Sequence, residues 1–134
     1  MRTSYYVIGL LLTSAFLYSF TFFQEKKPWV VPDKYEKMAN PVKADAESLK
    51  TGKALWTKHC QSCHGKTGLG DGTKAAQLDT EVDDLTSAEV QKQSDGAMFY
   101  RTQEGRDDMP SFKKKIPEED DIWALVNFMR SLAK

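Results

Sequence analysis

Between Tyr5 and Phe23 the chain reads YYVIGLLLTSAFLYSFTFF, a run of 19 residues with no charged side chain. A small domain has no interior wide enough to hide such a segment, so it must be set apart from whatever folds behind it. As a helix the run spans about 28 Å, close to the ~30 Å hydrocarbon core of a bilayer. A secretory signal is the competing reading. Signal h-regions are shorter, about 7–15 residues, and end in a small-residue cleavage site. Here the run closes with Phe20-Thr21-Phe22-Phe23 and shows no such site. The expectation is therefore a transmembrane anchor over residues 1–23, with a removed signal as the alternative. Tyr5, Tyr6, Phe22, Phe23 and Trp29 suit the two interfacial belts. Arg2 on one side and Lys26 and Lys27 beside Glu25 on the other leave the orientation open.

Residues 24–44, QEKKPWVVPDKYEKMANPVKA, read as a linker, because Pro28, Pro32 and Pro41 each exclude a helix interior and bias the preceding residue toward extended backbone. Fully extended, such a tether reaches roughly 60 Å at ~3.1 Å per residue. The alternative is that Trp29, Val30 and Val31 fold back onto the domain that follows.

From residue 45 to 134 the signals are helical. Asp45 or Ser48 can cap a helix running through Gly52 and Trp56 into the cysteines. Thr86-Ser87-Ala88-Glu89 has the form of a capping box, opening a second helix with Thr86 as its cap. A third is expected from Gly96 to Thr102, stopped by Gly105. Pro117 suits a first helical position, with Glu118 to Asp121 behind it at the positive end. Ile122, Leu125, Val126 and Met129 then mark one face at i, i+3, i+4 and i+7. No stretch alternates well enough for a strand, so the expected fold class is all-α: a small helical domain behind one transmembrane helix and a proline-containing linker.

Lys and Arg number 19 and so do Asp and Glu. That balance gives no basic excess for a nucleic-acid partner. Two cysteines are too few for a disulfide-built miniprotein. Both stand in Cys60-Gln61-Ser62-Cys63-His64. Three residues apart on a helical turn, the two sulfurs share a face, which suits addition across the two vinyl groups of one haem, with the His64 imidazole reaching the iron. C-x-x-C-H thus reads as covalent c-type haem attachment. A thioredoxin-like dithiol would want a βαβ setting, which the sequence lacks. A zinc site would want four ligands, and beyond these three residues only the adjacent His59 offers a soft nitrogen. Inert core cysteines are the third rival. Some 45 residues on, Met109-Pro110 offers a thioether on a loop whose backbone the proline restricts. Met98 is the one competitor for that role, but its place within a helix favours packing against the haem, and Met129 falls on the apolar face of the last helix, where packing is the usual role of a methionine.

Residues 45–134 resemble a class I monohaem cytochrome c domain. The resemblance rests on Cys60 to Gly65, the glycine-rich Gly68-Leu69-Gly70-Asp71-Gly72, the segment Gly105 to Phe112 with Met109-Pro110, and the last helix. It implies one covalently bound haem c on Cys60 and Cys63, with His64 as proximal and Met109 as distal iron ligand. It also implies a close crossing of the first and last helices, Gly52 and Trp56 meeting Leu125 and Phe128. Trp56 stands where Phe or Tyr is commoner, so looser packing is expected there. In many members a proline carbonyl accepts the Nδ1–H of the proximal imidazole. Residues 65–76 contain no proline, so a carbonyl near Leu69 or Gly70 is expected in its place. Leu69, Leu78, Phe99, Tyr100 and Phe112 are expected around the haem, His59 in solvent, and the haem-free chain largely unfolded.

With both axial positions filled, the function expected is one-electron transfer, not catalysis. The chain would be a membrane-anchored carrier shuttling between a quinol-oxidising complex and a terminal oxidase or reductase. A permanently bound haem subunit of a larger respiratory complex is the alternative, and a haem sensor or peroxidase with an open distal site a more remote one. Assembly of c-haem outside the cytoplasm places the haem domain on the periplasmic side of a bacterial inner membrane. Lys113-Lys114-Lys115, just past Met109, would form a basic collar that steers docking.

Overall fold

A computed structural model describes residues 28–134. The expected anchor at 1–23 and the first residues of the linker lie outside them. The described residues form six α-helices: α1 (Asp33–Glu36), α2 (Ala46–His59), α3 (Gln61–His64), α4 (Ala88–Gln91), α5 (Asp95–Glu104) and α6 (Glu119–Ser131), with a 3-10 turn at Ala75–Gln77. Among them there is no strand, only an isolated antiparallel bridge between Arg106 and Met109. None of these helices is long and apolar enough to cross a membrane.

Asp45 caps α2: its carboxylate accepts from the amides of Glu47 and Ser48, while the Ser48 hydroxyl accepts from the Asp45 amide. α2 then lies across α6 at Gly52. A β-carbon on Gly52 would stand 2.2 Å from the Ala124 carbonyl oxygen and 2.8 Å from Phe128 Cβ. Only a residue without a side chain admits so close an approach. The expected crossing is present, but the backbone of Ala124 rather than Leu125 faces the glycine. Trp56, one turn on, is fully buried with its ring 5.7 Å from that of Phe128.

α6 buries more than the expected stripe. Besides Ile122, Leu125, Val126 and Met129, its buried residues include Trp123, Ala124 and Asn127. Trp123 stacks on Phe99 of α5 at 4.2 Å between centroids, and this pair ties α5 into the core. Arg130 closes the end of α6, donating to the Asp95 carboxylate and to the carbonyls of Gln91 and Gln93. Two helix starts differ from expectation. Ser87, not Thr86, caps α4 by accepting from the Val90 amide, because the Thr86 hydroxyl is bonded to Asp84. Pro117 lies just outside α6, whose cap is Glu118.

Within the stretch expected to be a linker, residues 29–42 are docked on the domain, the fold-back alternative. Val31 is buried, and Tyr35 rests on Tyr100 (4.7 Å) and Phe99 (6.4 Å). The Tyr35 carbonyl occupies the place a Gly96 side chain would take. Asn40 donates to the Trp123 carbonyl and to Asn127 Oδ1, while Asn127 Nδ2 donates to the Val42 carbonyl. The three prolines do prevent a long helix; Val31 and Tyr35 between them still find the domain, whereas Val30 is 79% exposed.

Candidate haem site

The end of α2 and the whole of α3 form one continuous bend. The amides of Cys63 and His64 both donate to the Cys60 carbonyl, at 3.1 and 2.9 Å, which sets the cysteines on a single turn. Trp56 fixes this turn to α2 by donating its indole N–H to the Gly65 carbonyl at 3.1 Å. Trp56 is thus held more firmly than the sequence suggested, since Phe could make no such bond. The chain leaves through Gly65, Gly68 and Gly70, at φ of 82°, 81° and 78°, a tight path that glycine adopts without strain.

Met109 stands on a short reversal. Arg106 and Met109 exchange both backbone hydrogen bonds, at 2.8 and 2.9 Å. Gly105 makes the reversal possible. Its φ is 68°, and a β-carbon there would meet the Met109 carbonyl oxygen at 2.4 Å. Asp108 ties the loop across to Thr80, accepting from its amide at 2.8 Å and its hydroxyl at 2.5 Å. These two bonds hold the Asp108 carboxyl below its ordinary range.

Cys60, Cys63, His64 and Met109 all line one cavity of about 480 Å³. This volume lies within the usual ~300–1,000 Å³ of cofactor sites. Leu78 and Phe112 line it too, as expected, whereas Phe99 belongs to the core, the half-buried Tyr100 packs against Tyr35, and Leu69 is 40% exposed. Met98 and Met129 are packed in the core. His59 does not face away: it lines the cavity, its ring edge-on to Phe112 at 6.0 Å, with a buried Nε2 that has no partner.

The chemistry of the donors fits a haem better than its rivals. Burial, then the neighbouring Cys63, pushes the Cys60 thiol up to about 12, far from the thiolate through which a redox dithiol reacts. The cysteines are not disulfide-bonded, and no three His, Cys, Asp or Glu converge on a metal site among the described residues. Burial holds the His64 imidazole below its ordinary value despite the opposing pull of Asp83, so it is neutral, the form that binds iron. The expected carbonyl acceptor is not found, for His64 Nδ1 is buried without a partner. The Gly70 amide instead donates to the His64 carbonyl, and the His64 ring lies 5.7 Å from that of Trp56. Packing against indole orients the ring where a hydrogen bond was expected.

The expected basic collar is tempered. Lys113 is paired with Glu104 and Lys115 sits over the Phe112 ring. The cavity lining holds Lys58, Lys74, Arg106 and Lys115 against Glu81, Asp83, Asp107 and Asp108.

A small helical domain with two thiols, an imidazole and a thioether around one cavity defines a c-type cytochrome. Residues 47–129 match the family model described as "Cytochrome C oxidase, cbb3-type, subunit III", and the chain belongs to that family of cytochrome c domains. Membership implies covalently bound haem c and electron transfer. Among solved structures the chain is similar to the KustC0563 c-type cytochrome, at 30% identity and a TM-score of 0.55, over 62% of this chain and 98% of that one. It also shares its fold with a chain of the Kuenenia stuttgartiensis reducing HAO-like protein complex Kustc0457/Kustc0458. That likeness has a TM-score of 0.65 at 24% identity, over 84% of this chain but only 54% of the other. This chain therefore spans about half the length of that relative. No curated protein matches the sequence.

Proposed function

We propose that this cytochrome is a membrane-anchored one-electron carrier of a respiratory chain, its haem domain on the periplasmic side of a bacterial inner membrane. The observation that carries the carrier reading is the presence of His64 and Met109 on one cavity with the attachment cysteines. Cys60 and Cys63 would hold the haem by thioether bonds, and His64 and Met109 would supply its axial ligands. When bound, haem c supplies an iron centre that takes up and releases one electron. The chain's own part is to keep the His64 imidazole neutral, to aim Met109 through the Gly105 turn and the Asp108–Thr80 tie, and to exclude water with Phe112 and Leu78. With His64 and Met109 both holding the iron, the group would offer no position to substrate or oxygen.

The anchor reading rests on the uncharged run at residues 5–23, and the side of the membrane on c-haem assembly outside the cytoplasm. The docking of residues 29–42 shortens the tether this requires. Between Phe23 and Trp29 stand only residues 24–28, at most about 20 Å of extended chain. The domain would stay close to the membrane and meet partners that are themselves embedded in it, such as a quinol-oxidising complex or a terminal oxidase or reductase.

The second reading, a permanent haem subunit, is favoured by the family description, which names an oxidase subunit, and by the neighbour taken from a redox complex. Purification from membranes in mild detergent separates the two: a carrier runs alone and a subunit co-migrates with its complex. Carbon monoxide tests the ligand set. The reduced protein should bind it slowly and weakly, and Met109→Ala rapidly; rapid binding by the unaltered protein would point to an open distal site and a sensor or peroxidase.

A further inference from the structure

The family match begins at residue 47, yet one wall of the haem cavity comes from upstream of it. Trp29 lines the cavity together with Cys60, Cys63, His64 and Met109. Its ring lies beneath two guanidinium groups, Arg106 at 4.7 Å and Arg101 at 5.6 Å, and its carbonyl accepts from Arg101 at 3.2 Å. Behind it Val31 is buried, Tyr35 stacks on α5, Ser94 donates to Glu36, and Asn40 is bonded to α6. A segment fixed at so many points belongs to the fold, and its free end is the indole at the cavity.

We infer that Trp29 is a positioning residue of the haem site, supplied by the N-terminal segment, which raises the reduction potential by closing one side of the cavity to water and holding two arginines beside it. The inference rests on the haem reading above. Two effects share one sign. Oxidised iron carries one more positive charge than reduced iron, and water stabilises that charge, so sealing the cavity favours the reduced form. The indole face also holds by cation–π attraction Arg106, which lines the cavity, and Arg101 behind it, and positive charge there, beyond what Asp107 offsets, favours the reduced form as well. Trimming the ring admits water and removes the aromatic contact that helps to place the two guanidinium groups. The haem domain as the family defines it would therefore be incomplete without residues 29–42.

The test is a spectroelectrochemical titration of the full chain, matured with haem, as Trp29→Ala and Trp29→Phe beside the unaltered protein. Trp29→Ala should shift the reduction equilibrium three- to tenfold toward the oxidised form, a lower midpoint by about 30–60 mV at 59 mV per tenfold. Trp29→Phe should restore at least half of the shift, because an aromatic face remains. Circular dichroism and the melting curve show whether each variant is folded; should Trp29→Ala not fold, Trp29→Leu, which fills the space without an aromatic face, takes its place, and a Trp29→Leu midpoint within 10 mV of the unaltered value overturns the inference. So does a Trp29→Ala midpoint within 10 mV of the unaltered value, or a lowered melting temperature with no change in potential. Absence of covalent haem from all three proteins marks failure of the haem reading itself, and the inference falls with it. Covalent haem with unmoved potentials marks failure of the inference alone.

Discussion

Gly52→Ala tests the helix crossing that carries the haem-bearing turn. The new methyl would stand 2.2 Å from the Ala124 carbonyl oxygen and 2.8 Å from both Ala124 C and Phe128 Cβ. Ordinary contact begins at 3.4 Å, so α2 and α6 must move apart by about an ångström. Two of these three atoms are backbone, and no side-chain rotation relieves them. Overpacking of this kind costs roughly 1–3 kcal/mol. Opposing it, Gly→Ala within a helix gains about 1 kcal/mol of intrinsic propensity. Because the obstruction is main chain, the upper part of the overpacking range applies, leaving a net loss of about 2 kcal/mol. At roughly 4–8 °C per kcal/mol for a domain of this size, Tm should fall by about 8–16 °C. Thermal and urea unfolding of the haem-loaded protein measure this, with Lys53→Ala on the exposed side of the same helix as a control expected within about 0.5 kcal/mol. A Gly52→Ala protein that melts at or above the unaltered temperature would show that propensity outweighs crowding, and the tight crossing would be refuted.

Asn127 is buried and bonded to Asn40, Val42 and Ser48; Asn127→Ala removes these three bonds, the one to the Val42 carbonyl among them, and should lower unfolding stability by about 2–3 kcal/mol in urea titrations. Gly105→Ala forces a β-carbon onto a φ of 68° and into the Met109 loop, so the reduced variant should bind carbon monoxide at least tenfold faster than the unaltered protein. Acidification should weaken the fold in a definite window. His59, which is no ligand of the haem iron, is held below the ordinary value of 6.5, chiefly by burial. The unfolded chain therefore binds a proton first as pH falls through 6.5, so the stability this residue contributes is complete above that value and declines below it, until the folded form is protonated too. Urea midpoints at pH 7.5 and 5.5 check the sign, and greater stability at pH 5.5 would contradict it.

Local signals were legible in the sequence. The Asp45 cap, the single-turn placement of Cys60 and Cys63, the glycine at the helix crossing and the apolar face of α6 each depend on residues a few positions apart. What the sequence does not reveal depends on distant partners. Nothing near Trp29 announces that Arg101 and Arg106 hold its ring, and proline spacing says nothing of a Tyr35 that finds Tyr100. Asn40 and Asn127 look like ordinary polar residues until each is seen to satisfy the other. The start of α4 was misplaced by one residue because the Asp84 carboxylate competes for the Thr86 hydroxyl. Family analogy misled once as well: with the proline carbonyl gone, the sequence invited a substitute acceptor for His64 Nδ1, whereas the structure packs that ring against Trp56.

The central claim is that Cys60 and Cys63 carry one haem by covalent bonds. Intact-mass spectrometry of the chain, expressed with c-haem assembly and washed in acid–acetone, tests it most directly. The account predicts the polypeptide mass plus one haem in the unaltered protein, with the Cys60→Ser, Cys63→Ser double variant at the bare polypeptide mass. A bare mass for the unaltered chain, with all colour extracted into the solvent, would contradict it.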